Sequence, residues 1–339
     1  VNLDERNDSI FLLGAAAAVP DGSLSVETVV QAERKRYVAQ LEALSPRLRE
    51  RVTAGLGIRA VRVHDGPPST LGLRAAGAAL SRAQIDPSRV RLVVDFSTLP
   101  GDEPGLWSLA VRLQGELGCT EAAVLSAQGS GCAGLHLALR AAGALMRAEP
   151  ELDVALLVAS DCVRSAGRVC LPVSILGDAA SALVLSRAPA PSRQTPRIAS
   201  IATSTLGTYH DVIALRGDPP TIQIDGHAFE SQILPLHFVM CARLLGRALA
   251  GAHCEPERVS QLVYPNTTCA DRKSVRRALN LPHAQLSGPG LEQLGHAFAS
   301  DMVINLPPQW SPEQLGPEAC TALIAVGNGF TWGACIIAH

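Results

Sequence analysis

Cys132 stands in the stretch of greatest chemical interest, Val124-Leu-Ser-Ala-Gln-Gly-Ser-Gly-Cys-Ala-Gly-Leu-His-Leu-Ala-Leu139. Ala122 to Leu125 reads as a short strand and Gln128 to Gly131 as a tight turn. Cys132 then opens a helix, apolar on nearly every face, that runs to about Arg147. A cysteine in the first turn of a buried helix meets unpaired backbone N–H groups and the positive end of the helix dipole, and both favour thiolate over thiol. That is the environment of a nucleophile. Free cysteine is also an ordinary core residue, and the chain has nine. The other eight show no metal-ligand spacing, and an odd count argues against a complete disulfide framework, so they read as reduced core or loop residues.

A cysteine nucleophile needs a base, and the base needs a group to orient it. Of the nine histidines, His136 lies one turn beyond Cys132 on the apolar helix and reads as core or as a support behind the site. His296 differs in its setting, Leu294-Gly-His-Ala-Phe-Ala-Ser-Asp301: glycine before, small residues after and a carboxylate five on, as in a loop entering a helix beside an active site. The remaining seven lie in segments without a motif.

The elements that must position these residues alternate. Ile10–Ala18 reads as a strand, Ser25–Leu44 as a helix, Leu71–Leu80 as a helix, Val90–Phe96 as a buried strand and Pro104–Leu117 as a helix. After the Cys132 segment and a strand at Val154–Ser160 comes Ser174–Ser186, and then a Pro-rich connector at 187–196. Beyond it the order repeats: strand Arg197–Thr205, a long helix over Phe229–Leu249, strand Gln261–Tyr264, a helix over Asp271–Leu279, and two last strands around the turn Gly327-Asn-Gly329. The expected division is 1–192, carrying the nucleophile, and 193–339, carrying His296, Asp301 and the glycine turn.

The 339 residues are 47% hydrophobic and 18% charged with a net charge of −2, so a large core is easily filled and a nucleic-acid binder resting on phosphate neutralisation is excluded. No basic segment with a long apolar run opens the chain and no stretch suggests a membrane span, so a cytoplasmic protein is expected.

Four ordered motifs, Gly57-Ile58-Arg59, Gly129-Ser-Gly-Cys132-Ala-Gly134, Leu176-Gly-Asp-Ala-Ala-Ser-Ala-Leu-Val-Leu185 and Gly327-Asn-Gly-Phe-Thr-Trp-Gly333, resemble the β-ketoacyl-acyl carrier protein synthase III family of the thiolase superfamily. The resemblance covers nearly the whole chain. It implies a five-layered α-β-α-β-α fold from two similar halves, a homodimer, an acyl group carried on Cys132, and an oxyanion hole from the backbone N–H groups of Cys132 and Asn328. It also implies a residue reaching across the dimer to close the acyl pocket, for which Leu106 or Trp107 is placed, the alternative being that both are ordinary core residues of the helix from Pro104. Arg272, Lys273, Arg276 and Arg277 read by default as a solvated charged face, and could meet a phosphopantetheine arm or an acidic carrier protein.

The departures are informative. Condensing members carry a His where this chain has Asn266, in Pro265-Asn-Thr-Thr268, and an Asn after glycine where it has His296. With the two exchanged, the paired donors of decarboxylative condensation are disturbed, and Asn266 becomes a polar liner or acceptor contact. Asp301 can fix the His296 tautomer if His296 lies in the loop before the helix. The pattern resembles a divergent branch that transfers malonyl and aromatic polyketide acyl groups to oxygen or nitrogen in antibiotic biosynthesis through Cys-His-Asp. The expected activity is therefore acyl transfer from a carrier-protein or coenzyme A thioester, through acyl-Cys132, to a small-molecule hydroxyl or amine, with no metal or redox cofactor. The rival expectations are a condensing synthase and a non-catalytic partner subunit.

Overall fold

Ten strands among the described residues carry the architecture, in two sets of five with one topology. A computed structural model describes residues 9–102, 107–164, 166–191, 194–218, 220–288, 290–306 and 319–339. The first set comprises β1 (Ile10–Ala18), β2 (Leu92–Asp95), β3 (Ala123–Ser126), β4 (Val154–Asp161) and β5 (Ala179–Ser186). The second comprises β6 (Arg197–Thr205), β7 (Val259–Val263), β8 (Gln285–Ser287), β9 (Cys320–Gly327) and β10 (Thr331–Ala338). Their spatial orders are β3-β2-β4-β5-β1 and β8-β7-β9-β10-β6, and in each the fifth strand runs antiparallel to both neighbours. The sets meet where β1 pairs with β6 at Ile10/Ile198 and Phe11/Arg197. The expected division between residues 192 and 193 lies outside the described residues.

Strand period fixes which layer each side chain enters. Along β2, Val93 faces outward to the helix α4 (Pro68–Ala83), packing with Leu71, Ala75 and Ala79, while Leu92 and Val94 face inward. The inward layer holds α6 (Gly134–Ala148), whose Leu135, Ala138, Leu139, Ala142 and Met146 pack against Leu157 and Leu183 on one side and Leu323 and Ile337 on the other. A helix between two sheets must be apolar all round, which is how its sequence reads. The outer face of the second sheet is covered by α7 (Leu234–Ala252), through Met240, Leu244, Leu245 and Ala248. The result is helix, sheet, helix, sheet, helix, the five layers expected.

Two local expectations need correction. The helix expected over Ser25–Leu44 is two, α1 (Val26–Ala32) and α2 (Arg34–Glu42), because Glu33 is turned aside to accept the backbone N–H groups of Arg168 (2.7 Å) and Val169 (3.1 Å). Ser25 caps the first by accepting Thr28 N–H. Among the described residues one helical segment, Gly226–Ala252, is long and apolar enough to cross a membrane by length and composition, but one face packs on the second sheet. The helix expected from Pro104 is α5 (Leu109–Leu117), its first expected residues lying outside those described. Two further helices matter to the site, α3 (Pro46–Ala54) and α8 (Cys269–Ala278).

Candidate active site

Cys132 lies in a one-turn 3-10 helix, Gly131–Ala133, that leads into α6, and is 7% exposed. Two glycines let this turn press against the turn between β9 and β10. Gly131 has φ +52°, and a Cβ there would sit 2.4 Å from the Asn328 nitrogen; one on Gly327 would sit 1.8 Å from the Ser130 oxygen. Only backbone fits between them. Cys132 and Asn328 thus line one cleft, as an oxyanion hole built from their N–H groups requires.

His296 is held as an extended residue, clear of the helix that follows. Its N–H donates to the Ile175 carbonyl (2.9 Å) and its carbonyl accepts Gly177 N–H (3.0 Å). Here the Leu176-Gly-Asp motif acquires a physical reason, because a Cβ on Gly177 would lie 2.1 Å from the Leu294 carbonyl oxygen. The helix begins only at Asp301. His296 Nε2 then lies 3.2 Å from Cys132 Sγ, and Nδ1 donates to Asp301 Oδ2 at 2.5 Å, with His296 4% and Asp301 0% exposed. Three buried side chains from three segments form one hydrogen-bonded chain.

Asp301 is saturated. Oδ2 also accepts Asn266 N–H (2.7 Å), while Oδ1 accepts Ala297 N–H (2.9 Å) and the Asn266 side-chain amide (3.1 Å). The amide orientation of Asn266 is set by its far side, where Oδ1 accepts from Asn305 Nδ2 (2.9 Å) and Arg272 Nη1 (3.2 Å), both donors only. An acceptor so placed turns the amide nitrogen toward the carboxylate. Burial drags the His296 pKa down, but the Cys132 thiolate and the Asp301 carboxylate outweigh it, and the imidazole is held well above its ordinary value. The imidazole is thus favoured in its protonated form beside the cysteine sulfur.

The cleft over this chain encloses about 850 Å³ counted to its open mouth. Its walls are mostly apolar, including Ile213, Phe229, Ile233, Val326 and Phe330, with Arg51 and Asp271 as charged members. The other residues singled out in the sequence are placed as follows. Asn266, expected to line the substrate cleft, is fully buried behind it and spends its polar atoms on Asp301, Arg272 and Asn305. Arg272 is 5% exposed and ties together the Tyr264, Pro265 and Ser287 carbonyls, so it is a scaffold strut rather than a carrier contact. Trp107 is 40% exposed and borders a surface depression with Val111 and Arg112, away from Cys132 in this chain. Leu106 lies outside the described residues. His136 is fully buried beneath the cysteine, its Nε2 donating to the Leu323 carbonyl at 3.1 Å, and burial pushes its pKa down to about 4.

Sequence reasoning missed a second polar group in the cleft wall, His237, Tyr264, Thr267 and Asp271. Its members come from α7, the end of β7 and α8, and no motif spans them.

No protein-family model matches the chain. Among curated relatives, the β-ketoacyl-[acyl-carrier-protein] synthase III of Rhodospirillum centenum is 26% identical over 286 residues, 84% of this chain and 87% of the relative. That of Rhodospirillum rubrum is 24% identical over 310 residues, 88% and 92% of the two. Among solved structures, the acyltransferase ChlB3 superposes with a TM-score of 0.79 at 22% identity over 97% of both chains. The 3-oxoacyl-(acyl carrier protein) synthase III of Pseudomonas aeruginosa PAO1 gives 0.77 at 21%, covering 97% of this chain and 98% of the other. OleA of Xanthomonas campestris with lauric acid and lauroyl-CoA gives 0.76 at 16%, covering 98% and 99%.

Proposed function

We propose that this ketosynthase III-like chain of thiolase fold moves an acyl group from a thioester to an oxygen or nitrogen acceptor through an acyl-cysteine, with Cys132, His296 and Asp301 as a catalytic triad. The observation that carries the reading is the hydrogen-bonded chain Sγ–Nε2–Nδ1–Oδ2 combined with an Asn266 amide turned onto Asp301. The thiolate attacks the thioester carbonyl, the charge moves to an oxygen held by the Cys132 and Asn328 N–H groups, and the carrier thiol leaves with the proton from His296. The acceptor O–H or N–H then gives its proton to His296 Nε2 as its heteroatom bonds to the acyl carbon. The carbon–sulfur bond breaks, and Asp301 stabilises the imidazolium until the cysteine is restored.

The donor in this reading is a carrier-protein or coenzyme A thioester. Support comes from the carrier protein in the names of the curated relatives and from the lauroyl-CoA in the OleA structure. The mostly apolar cleft suits an aromatic polyketide acyl group, with malonyl as the other acyl group of this reading, in cytoplasmic antibiotic biosynthesis. A homodimer is supported by the exposed edge strand β3, where Val124 is 43% exposed beside Val111 at 45% and Trp107 at 40%. The condensing reading is favoured by the sequence likeness to β-ketoacyl synthases and opposed by the use already made of Asn266.

Intact-protein mass spectrometry after mixing with a panel of acyl thioesters tests the reading. The expected result is an adduct on wild type that is absent from Cys132→Ala and that persists in His296→Ala when acceptors discharge the wild type. No adduct with any thioester would remove the reading.

A further inference from the structure

The cleft wall holds a polar relay with one allowed direction. Trp332 Nε1, a donor only, points at His237 Nδ1 at 3.1 Å, so the His237 proton sits on Nε2 and is donated to the Tyr264 hydroxyl at 2.9 Å. Tyr264 donates in turn to Asp271 Oδ2 at 3.0 Å, and the Thr267 hydroxyl donates to the same oxygen at 2.8 Å. Burial keeps His237 below its ordinary pKa and, with the nearby Asp271, holds Tyr264 well above its own, so both stay neutral. Every proton in the relay points toward the Asp271 carboxylate. Oδ1 of Asp271 has no hydrogen-bond partner among the described residues, and Asp271 lines the cleft.

Asp271 is close to the proposed catalytic groups. Consecutive residues hold the two carboxylates, Asn266 through its N–H on Asp301 (2.7 Å) and Thr267 through its hydroxyl on Asp271 (2.8 Å). Arg51 also lines the cleft, but its guanidinium donates to Ser274 Oγ at 2.6 Å and the Ala270 carbonyl at 3.4 Å, leaving the carboxylate without it. An anion fixed by neutral donors in a mostly apolar wall, where Arg51 is tied to Ser274 and Ala270, attracts a cation that carries apolar surface.

We infer that Asp271 is the recognition residue for the acceptor, and that the acceptor is an amphipathic amino alcohol whose ammonium sits on Asp271 while its hydroxyl is presented to His296. This deepens the acyl-transfer reading and rests on it, but binding can be measured without acylation.

The test is ligand-observed NMR of the unacylated protein with 2-amino-3-phenylpropanol against 3-phenylpropanol, which differ only by the amine. Wild type is expected to bind the amine at least tenfold more tightly, Asp271→Glu to keep the preference, and Asp271→Asn to lose it with its fold intact by circular dichroism. Equal binding of the two probes by wild type would overturn the inference even without a folded variant. So would an Asp271→Asn protein that keeps the preference. Neither outcome bears on whether Cys132 takes up an acyl group.

Discussion

Asn266 grips Asp301 twice, through its backbone N–H at 2.7 Å and its side-chain amide at 3.1 Å. A residue at this position that donated to substrate would have to release the carboxylate that orients His296. Exchange of histidine and asparagine between the two sites therefore moves one donor out of the cleft and behind it, and leaves the imidazole as the side chain that faces the sulfur.

Loss of the Asp301 charge should slow the second half-reaction most. Asp301→Asn removes the stabilisation of the imidazolium formed as the acceptor is deprotonated, and discharge of preformed acyl-Cys132 should fall by about 10²- to 10⁴-fold, the usual range of general acid–base catalysis. Asn266→Ala leaves Arg272 and Asn305 donors facing a gap and should cost roughly 1–3 kcal/mol of stability. Single-turnover discharge and urea denaturation read the two effects. An Asn266→Ala protein indistinguishable from wild type in both would refute the positioning role.

Malonyl thioester should load without loss of carbon dioxide. Condensation requires two donors on the thioester carbonyl of the extender, and the Asn266 amide is committed elsewhere. Labelled malonyl thioester with headspace counting decides the matter, since release of label in step with new carbon–carbon product would restore the condensing reading. The double exchange Asn266→His with His296→Asn should not create the activity, because Asp301 still occupies the space between the two positions.

The sequence was most legible where one physical rule acts alone. Alternating strands and helices gave sheets with helices packed on them, since Val93 and Val94 must face opposite ways in any strand, while the count of five layers came from the family resemblance. That Cys132, His296 and Asp301 meet was readable because glycines and small residues mark close backbone approach around Cys132 and His296. Asn266 and Arg272 were misread for one reason: a polar residue's burial depends on partners such as Asn305 and Ser287 that only tertiary packing supplies. The break at Glu33 has the same origin, its carboxylate meeting backbone donors some 135 residues away.

Acid should weaken the protein partly through His136. Its folded pKa of about 4, set by burial against a hydrogen bond to the Leu323 carbonyl, lies below the ordinary 6.5. The unfolded chain therefore binds the proton first, and stability is lost as pH falls from about 6.5 to about 4, by about 3 kcal/mol at full protonation. His136→Gln keeps a donor for the Leu323 carbonyl and does not titrate. Its urea midpoint should drop less than that of wild type between pH 7 and pH 4.5, and parallel losses in the two proteins would contradict the assignment.

A charge on the edge strand should separate the homodimer. Val124→Lys places an ammonium on β3, where the exposed ladder and the 43%-exposed valine are expected to meet a second copy. Light scattering should show wild type at twice the chain mass and the variant at one. A wild type that runs as a monomer at all concentrations removes the dimer and the cross-subunit role expected of Leu106 or Trp107.

Gly327→Ala isolates the contribution of the oxyanion turn. The new methyl would lie 1.8 Å from the Ser130 oxygen and 3.0 Å from the Ala133 nitrogen, both backbone atoms that no side-chain rotation can clear. The β9–β10 turn must therefore withdraw from the Cys132 turn and carry the Asn328 N–H away with it. Loss of one such donor costs about 10²- to 10³-fold in rate, and acyl loading of Cys132 should slow by that much while iodoacetamide alkylation of the same sulfur, which develops no oxyanion, changes little. Equal slowing of both reactions would mean that the turn shapes the cysteine itself rather than the hole beside it.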